Sequence, residues 1–284
     1  MRSLALLILL GAAWAQIGKP VEGFRQGLTP PPGAEVRWEE RNGRLLAAHY
    51  TGPLDPSFLA QLAEKATGMA FGTPLRSWLE KNAPGLKGKS LTLNLEEAFL
   101  LDLTLTEPLQ ARIGPKQVTE TLMGEDRWVL GEKGPMLRIF SDFQCPFCQR
   151  LAREVLPHLK KRAQIGQLRI SYRHFPLKEI HPQALSAAVA AECAGAQGAF
   201  WPYHDLLMEG KLGDYQSLAR SLSLDLRAFT ACLKDPQVAA RVEAERTLAL
   251  RLGLRGTPTA FAGPYRIPNP FDLERVLDYL ALAR

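Results

Sequence analysis

Cys145-Pro146-Phe147-Cys148 is the stretch whose residue types and spacing most directly do chemistry. It follows an apolar run, Met136 to Phe140, and opens an amphipathic one bearing Leu151, Val155, Leu156 and Leu159, which predicts a strand-to-helix corner with two thiols at its tip. A cysteine at the start of a helix meets unpaired backbone N–H groups and the positive end of the helix dipole, both of which favour thiolate over thiol. Pro146 suits the first helical position, where no N–H is required. Cys148 lies one turn inward, so the two sulfurs can close a small ring. The chemistry this geometry serves is thiol–disulfide exchange. A static disulfide, or half of a zinc or copper site, are the other readings of such a pair taken alone.

Far downstream, Gly256-Thr257-Pro258-Thr259 precedes a short apolar run and a last amphipathic helix. An X-Pro bond between a helical region and a strand is a candidate cis bond, with an ordinary turn proline as the alternative.

Taken together, several blocks carry a resemblance. Phe140-Ser141-Asp142-Phe143-Gln144-Cys145-Pro146-Phe147-Cys148, then Tyr172-Arg173-His174-Phe175-Pro176-Leu177 with His181-Pro182, then Gln197-Gly198-Ala199-Phe200-Trp201 with His204-Asp205, then Gly256 to Thr259, resemble in order and character the DsbA-like branch of the thioredoxin superfamily. The resemblance covers the C-terminal part and not the first hundred-odd residues. It implies an α/β thioredoxin fold over 132–284 with a helical insertion at about 178–252. It also implies a protein thiol–disulfide oxidoreductase with Cys145 and Cys148 as the redox pair and a cis-Pro258 loop facing them. Thr257 and Thr259 would then offer backbone groups to an extended substrate, and Phe143, Phe147 and Phe175 an apolar apron, each being equally readable as core. Asp142 is read as a cap of the active-site helix or a proton carrier. The branch usually carries a glutamate where this chain has Ile139, which leaves Cys148 without an obvious base. Phe147 offers the thiolate no cationic help, so a moderate lowering of the Cys145 pKa is expected.

Arg2, the apolar run Leu4 to Leu10 and Ala13-Trp14-Ala15 read as a signal peptide over 1–15. The run falls short of the roughly 20 residues of a spanning helix. Export to a periplasm-like or extracellular compartment follows, with thiol-containing exported proteins as substrates and a membrane redox partner to reset the couple. The redox pair itself would carry the electrons, with no cofactor and no metal. A net charge of +6 without long like-charged runs argues against nucleic-acid binding. Cys193 and Cys232 lie outside the motif, in two predicted helices. They are read as a structural disulfide, with two separate thiols or a second redox pair as alternatives.

Before the thiol pair the pattern changes. Glu35 to Arg41, the turn signal Asn42-Gly43 and Arg44 to Thr51 predict a hairpin, and Asp55-Pro56 opens a helix with Phe58, Leu59, Leu62, Ala63 and Ala66 on one side. A second helix and two alternating strands, Ser90 to Leu95 and Leu101 to Thr106, complete an expected small α+β domain over 16–107 of order ββααββ. Residues 108–131 read as a linker. Dimerisation, substrate holding or docking are the roles open to this domain, the first of which would make the protein a homodimer; a disulfide isomerase or reductase of Dsb type, a copper-handling protein and a non-catalytic holdase are the readings set beside a disulfide-forming enzyme.

Overall fold

A computed structural model describes residues 16–22, 24 and 27–284; the expected signal peptide, 1–15, lies outside the described residues. The chain divides into two compact units, Met1–Gln117 and Val118–Arg284.

In the first unit, β1 (Glu35–Arg41) and β2 (Arg44–Gly52) form a hairpin, and Asn42 and Gly43 both have positive φ, as a type I′ turn requires. Helices α1 (Pro56–Thr67) and α2 (Gly72–Asn82) follow. The Asp55 carboxylate caps α1 by accepting the Phe58 N–H at 2.9 Å, and Gly68 ends it in the left-handed region. Then come β3 (Ser90–Leu95), β4 (Phe99–Thr104) and β5 (Leu109–Pro115). The sheet is antiparallel with order β1-β2-β5-β4-β3.

The strand β5 corrects the sequence reading in two ways: the order is ββααβββ, and 108–131 is not a linker. Leu109, Ala111 and Ile113 are buried in the middle of the sheet, between β2 and β4. The polar residues between them, Gln110 and Arg112, made the segment look like a connection, although they face the wet side. On that side Glu39 accepts from His49 Nε2 at 2.9 Å and from the Arg112 guanidinium, and is held below its ordinary pKa against the opposing effect of burial.

The second unit is built on β6 (Trp128–Leu130), β7 (Met136–Ser141), β8 (Arg169–His174), β9 (Thr259–Ala262) and β10 (Tyr265–Arg266), in the order β10-β9-β7-β8-β6. β7 and β8 are parallel, with α3 (Pro146–Glu154) and α4 (Leu156–Gln164) as the crossover between them; β9 runs antiparallel to β7. Between β8 and β9 lie α5 (Ala184–Gly195), α6 (Phe200–Met208), α7 (Tyr215–Ser221), α8 (Leu226–Leu233) and α9 (Pro236–Arg251), and α10 (Leu273–Leu282) ends the chain. β7 is buried along its whole length, as the central strand of a sheet covered on both faces. Its one cation, Arg138, is matched by Asp126 at 2.8 Å and Glu120 at 2.7 Å. No helix among the described residues is long and apolar enough to cross a membrane.

Cys193 on α5 and Cys232 on α8 form a disulfide across 39 positions of sequence. It anchors α8 to the alanine-rich α5, whose buried face leaves little side-chain volume for packing. Replacing both cysteines by serine is expected to cost about 3–4 kcal/mol in urea unfolding, from the freed loop. A loss below about 1 kcal/mol would show that helix packing alone holds α8.

Candidate active site

β7 ends at Ser141, the chain turns through Asp142-Phe143-Gln144, and α3 begins at Pro146 with Cys145 as its N-cap. The turn is fixed by Asp142, whose buried carboxylate accepts the N–H of Gln144 (2.8 Å), the N–H of Leu177 (2.8 Å) and His181 Nδ1 (2.8 Å). Asp142 therefore does not cap α3: the cap position is Cys145, with no side-chain cap bond, and Asp142 instead ties the thiol loop to the segment after β8. Gln144 Oε1 accepts from the Gln183 N–H at 2.7 Å, and Gln149 Nε2 donates to the Phe143 carbonyl at 2.9 Å.

Because no carboxylate occupies the cap, the first-turn N–H groups remain for sulfur. The Cys145 pKa falls to about 5, chiefly because the Cys148 thiol donates to its sulfur; burial opposes this, and the N–H groups of Cys148 and Phe147 add to it. Cys148, 1% exposed, is pushed the other way, well above the ordinary thiol range, by burial first and then by its bond to Cys145. At neutral pH the pair thus consists of an outer thiolate and an inner thiol. The Asp142 N–H points at Cys148 Sγ at 3.5 Å. Burial also pushes the Tyr172 phenol well above its ordinary range, and the Ser141 hydroxyl opposes the upward shifts of both Tyr172 and Cys148.

Across from the pair, the Thr257–Pro258 peptide is cis, and the Thr257 carbonyl lies 3.5 Å from Cys145 Sγ. Thr259 departs from its expected role. It lies opposite Phe140 in the β7–β9 ladder, and the Gly263 N–H donating to the Met136 carbonyl sets the alternation that turns Thr259's backbone into the sheet. Its hydroxyl donates to the Gly256 carbonyl at 2.8 Å. Thr257 alone of the two presents backbone at the site.

The expected apron reduces to one ring. Phe147 is 60% exposed beside Cys145, whereas Phe143 and Phe175 are each 1% exposed. Phe143 stacks on Tyr172 at 5.0 Å, above an aromatic cluster with His174, Phe200 and His204; Phe175 packs with Phe140 and Phe261 in a separate core cluster. Apolar type alone could not separate the exposed ring from the two buried ones. His174 is buried, with Nε2 3.1 Å from Glu192 Oε1; Glu192 also accepts from Trp128 Nε1.

Ser141 and Tyr172 escaped the sequence reading. The available signal was period two: Ile139 and Ser141 share a face of β7, and Tyr172 is the register partner of Ile139 on β8. The position with no acid therefore has hydroxyl groups beside it. Among the described residues no group of three or more His, Cys, Asp and Glu side chains is arranged to hold a metal ion.

A reactive thiol pair at a helix start, facing a cis-proline loop on a five-stranded sheet, defines a thioredoxin-fold redox protein. Residues 126–281 match the Thioredoxin_4 family model, described as thioredoxin, and the chain belongs to that family. The alpha-DsbA1 structure of Wolbachia pipientis superposes with TM-score 0.50 and 19% identity, covering 57% of this chain and 94% of that one, so the fold is the DsbA-like one. BdbD of Bacillus subtilis is similar at TM-score 0.49 and 22% identity, over 54% of this chain and 91% of its own. Among curated proteins, Na(+)/H(+) antiporter NhaA 3 of Salinispora tropica is 30% identical over 216 residues, which are 72% of this chain and 30% of that protein. This chain thus spans under a third of the length of that relative.

Two outcomes follow from the sulfur geometry. Thiolate absorbance of the reduced protein is expected to titrate near pH 5; because this pKa is lowered on folding, the thiolate's contribution to stability is full above roughly pH 8.5 and is lost as pH falls through about 5. A midpoint near 8.5 would contradict the arrangement. Ser141→Ala is expected to raise the Cys148 pKa, read by titration in a Cys145→Ser background, and to slow release of a mixed disulfide several-fold. An unmoved titration would remove Ser141 from the site.

Proposed function

We propose that this protein is an exported thiol–disulfide oxidoreductase that forms or exchanges disulfides in secreted or periplasmic proteins. The single observation that carries this reading is the Cys145 sulfur, held as thiolate with a pKa of about 5 and 3.5 Å from the Thr257 carbonyl of the cis-Pro258 loop. A chain laid along Thr257 as an extended strand brings its own sulfur to the outer, reactive one.

In the oxidised state a substrate thiolate attacks Cys145. A bond forms between the substrate and Cys145 sulfurs, the Cys145–Cys148 bond breaks, and Cys148 leaves as a thiolate that takes a proton. A second substrate thiolate then attacks the substrate sulfur of the mixed disulfide, and Cys145 departs as thiolate. The substrate loses two electrons and the couple gains them. In the reverse direction Cys145 attacks a substrate disulfide and Cys148 loses its proton to resolve it, with the Ser141 hydroxyl and the Asp142 N–H supporting the new charge. The couple carries the electrons without a cofactor, and a membrane redox partner would reset it. Stabilising the departing Cys145 thiolate favours the reduced enzyme and hence disulfide donation, which supports the oxidase direction over isomerase or reductase. The signal-peptide pattern of 1–15 supports export.

Cys148→Ser is expected to accumulate a mixed disulfide between Cys145 and a reduced, unfolded substrate protein supplied with a small-molecule disulfide, seen as a covalent adduct by mass. Cys145→Ser is expected to abolish both the adduct and substrate oxidation. Full turnover by Cys145→Ser would refute the proposal and favour a non-catalytic holding role.

A further inference from the structure

Cys148 is buried and holds a proton that it must lose each time it resolves a mixed disulfide. The one carboxylate of the preceding turn, Asp142, is already engaged by the N–H groups of Gln144 and Leu177 and by His181. The sheet offers another acceptor. Ser141 of β7 and His174 of β8 are direct partners in the parallel ladder, so their side chains leave the same face side by side, on strands about 5 Å apart. The Ser141 hydroxyl bonds the Cys148 thiol. His174 Nδ1 is buried and has no hydrogen-bond partner among the described residues, while Nε2 lies 3.1 Å from Glu192 Oε1. An ionised carboxylate only accepts, so Nε2 carries the hydrogen and Nδ1 of the neutral ring keeps its lone pair. Glu192 is held below its ordinary pKa against its burial, by His174 first, with Trp128 and Arg127 adding to it. Its Oε2 lies 3.3 Å from Arg127 and 3.7 Å from Arg241, and with these partly exposed arginines His174 and Glu192 line a cavity of about 230 Å³. The other groups around the ring are committed. His204 gives its Nδ1 to Asp205 at 2.8 Å, burial keeps the Tyr172 phenol protonated, and Glu245 accepts the backbone N–H of His174 at 2.6 Å.

We propose that Ser141, His174 and Glu192 form the proton relay of the inner thiol, an inference that rests on the exchange chemistry proposed above. As Cys148 attacks the Cys145 sulfur of a mixed disulfide, its S–H bond breaks, its proton passes to the Ser141 oxygen, and the Ser141 proton passes to His174 Nδ1. The Cys145–Cys148 bond forms, the bond from Cys145 to the substrate breaks, and the substrate sulfur leaves with the electron pair. The proton then rests on an imidazolium paired with the Glu192 carboxylate. In the opposite half-reaction Cys148 leaves as thiolate and the proton returns by the same path, so the relay is reset in every cycle. Ser141 touches the reacting sulfur; His174 and Glu192 are positioning residues that act through it.

Nitrogen-15 NMR of the histidine-labelled full chain near pH 7 tests the relay, with the couple reduced by dithiothreitol or oxidised by glutathione disulfide and the His174 signals assigned through His174→Gln. An imidazolium is expected in the oxidised form and a neutral ring with hydrogen on Nε2 in the reduced form. A His174 ring in one protonation state throughout overturns the proposal. Stopped-flow resolution of a mixed disulfide between Cys145 and glutathione supplies the second reading. Glu192→Gln and His174→Gln should each slow it on the order of a hundredfold near neutral pH and make it rise about tenfold per pH unit, as hydroxide replaces the relay. The Cys145 thiolate should still titrate near pH 5 in both variants, which shows the site intact. Variants that resolve at the unmodified rate, or with the unmodified pH profile, also overturn it. Both readings use only glutathione, so a protein that passes them but oxidises no protein substrate refutes the proposed function and leaves the relay standing.

Discussion

The contact on which the site depends is the one between the two sulfurs of Cys145 and Cys148. Placed at the first turn of α3, one sulfur can be served by backbone N–H groups and by the thiol of the other, while the other is buried and keeps its proton. The asymmetry comes from position rather than from any neighbouring cation. Phe147, between them, offers no charge, and the lowered Cys145 pKa is produced chiefly by the hydrogen bond from the Cys148 thiol, with backbone N–H groups adding to it. Two cysteines of the same chemistry thereby differ in protonation, and the proposed exchange uses the outer one as nucleophile and leaving group and the inner one as resolving thiol.

The rest of the second unit holds that corner still. Asp142 joins the turn to the loop after β8 through the Leu177 N–H and His181. Phe143 is pinned on Tyr172, and the strand pair beneath is buried on both faces. The disulfide on the helical insertion fastens two helices that flank the same core cluster as the thiols. Such rigidity suits a redox pair, because the hydrogen bonds that stabilise the thiolate have angular and distance requirements that a mobile loop would not keep.

The parts legible in the sequence were those that local chemistry dictates. Cys145-Pro146-Phe147-Cys148 marked the helix start, Asn42-Gly43 the hairpin turn, and Asp55-Pro56 the cap of α1. What escaped depended on residues distant in sequence. β5 is a strand because β2 and β4 flank it, and its alternation of Leu109, Ala111 and Ile113 with Gln110 and Arg112 made equal sense as a connection between domains. Phe147 and Phe175 are the same residue type near the same site, and only the packing of β7 and β9 buries the second. Asp142 is a frequent capping residue by type, yet its three hydrogen-bond donors lie elsewhere. Ser141 drew no attention because a serine at a strand end is common, and its meaning appears only with Cys148 against it.

The equilibrium reduction potential of the Cys145–Cys148 couple, measured with Cys193→Ser/Cys232→Ser to isolate it, tests the central claim most directly. A thiolate held near a pKa of 5 stabilises the reduced pair, so the account predicts a potential above about −200 mV, that of a disulfide donor. A value near −270 mV would contradict it and would mean a reductant that draws on an electron supply.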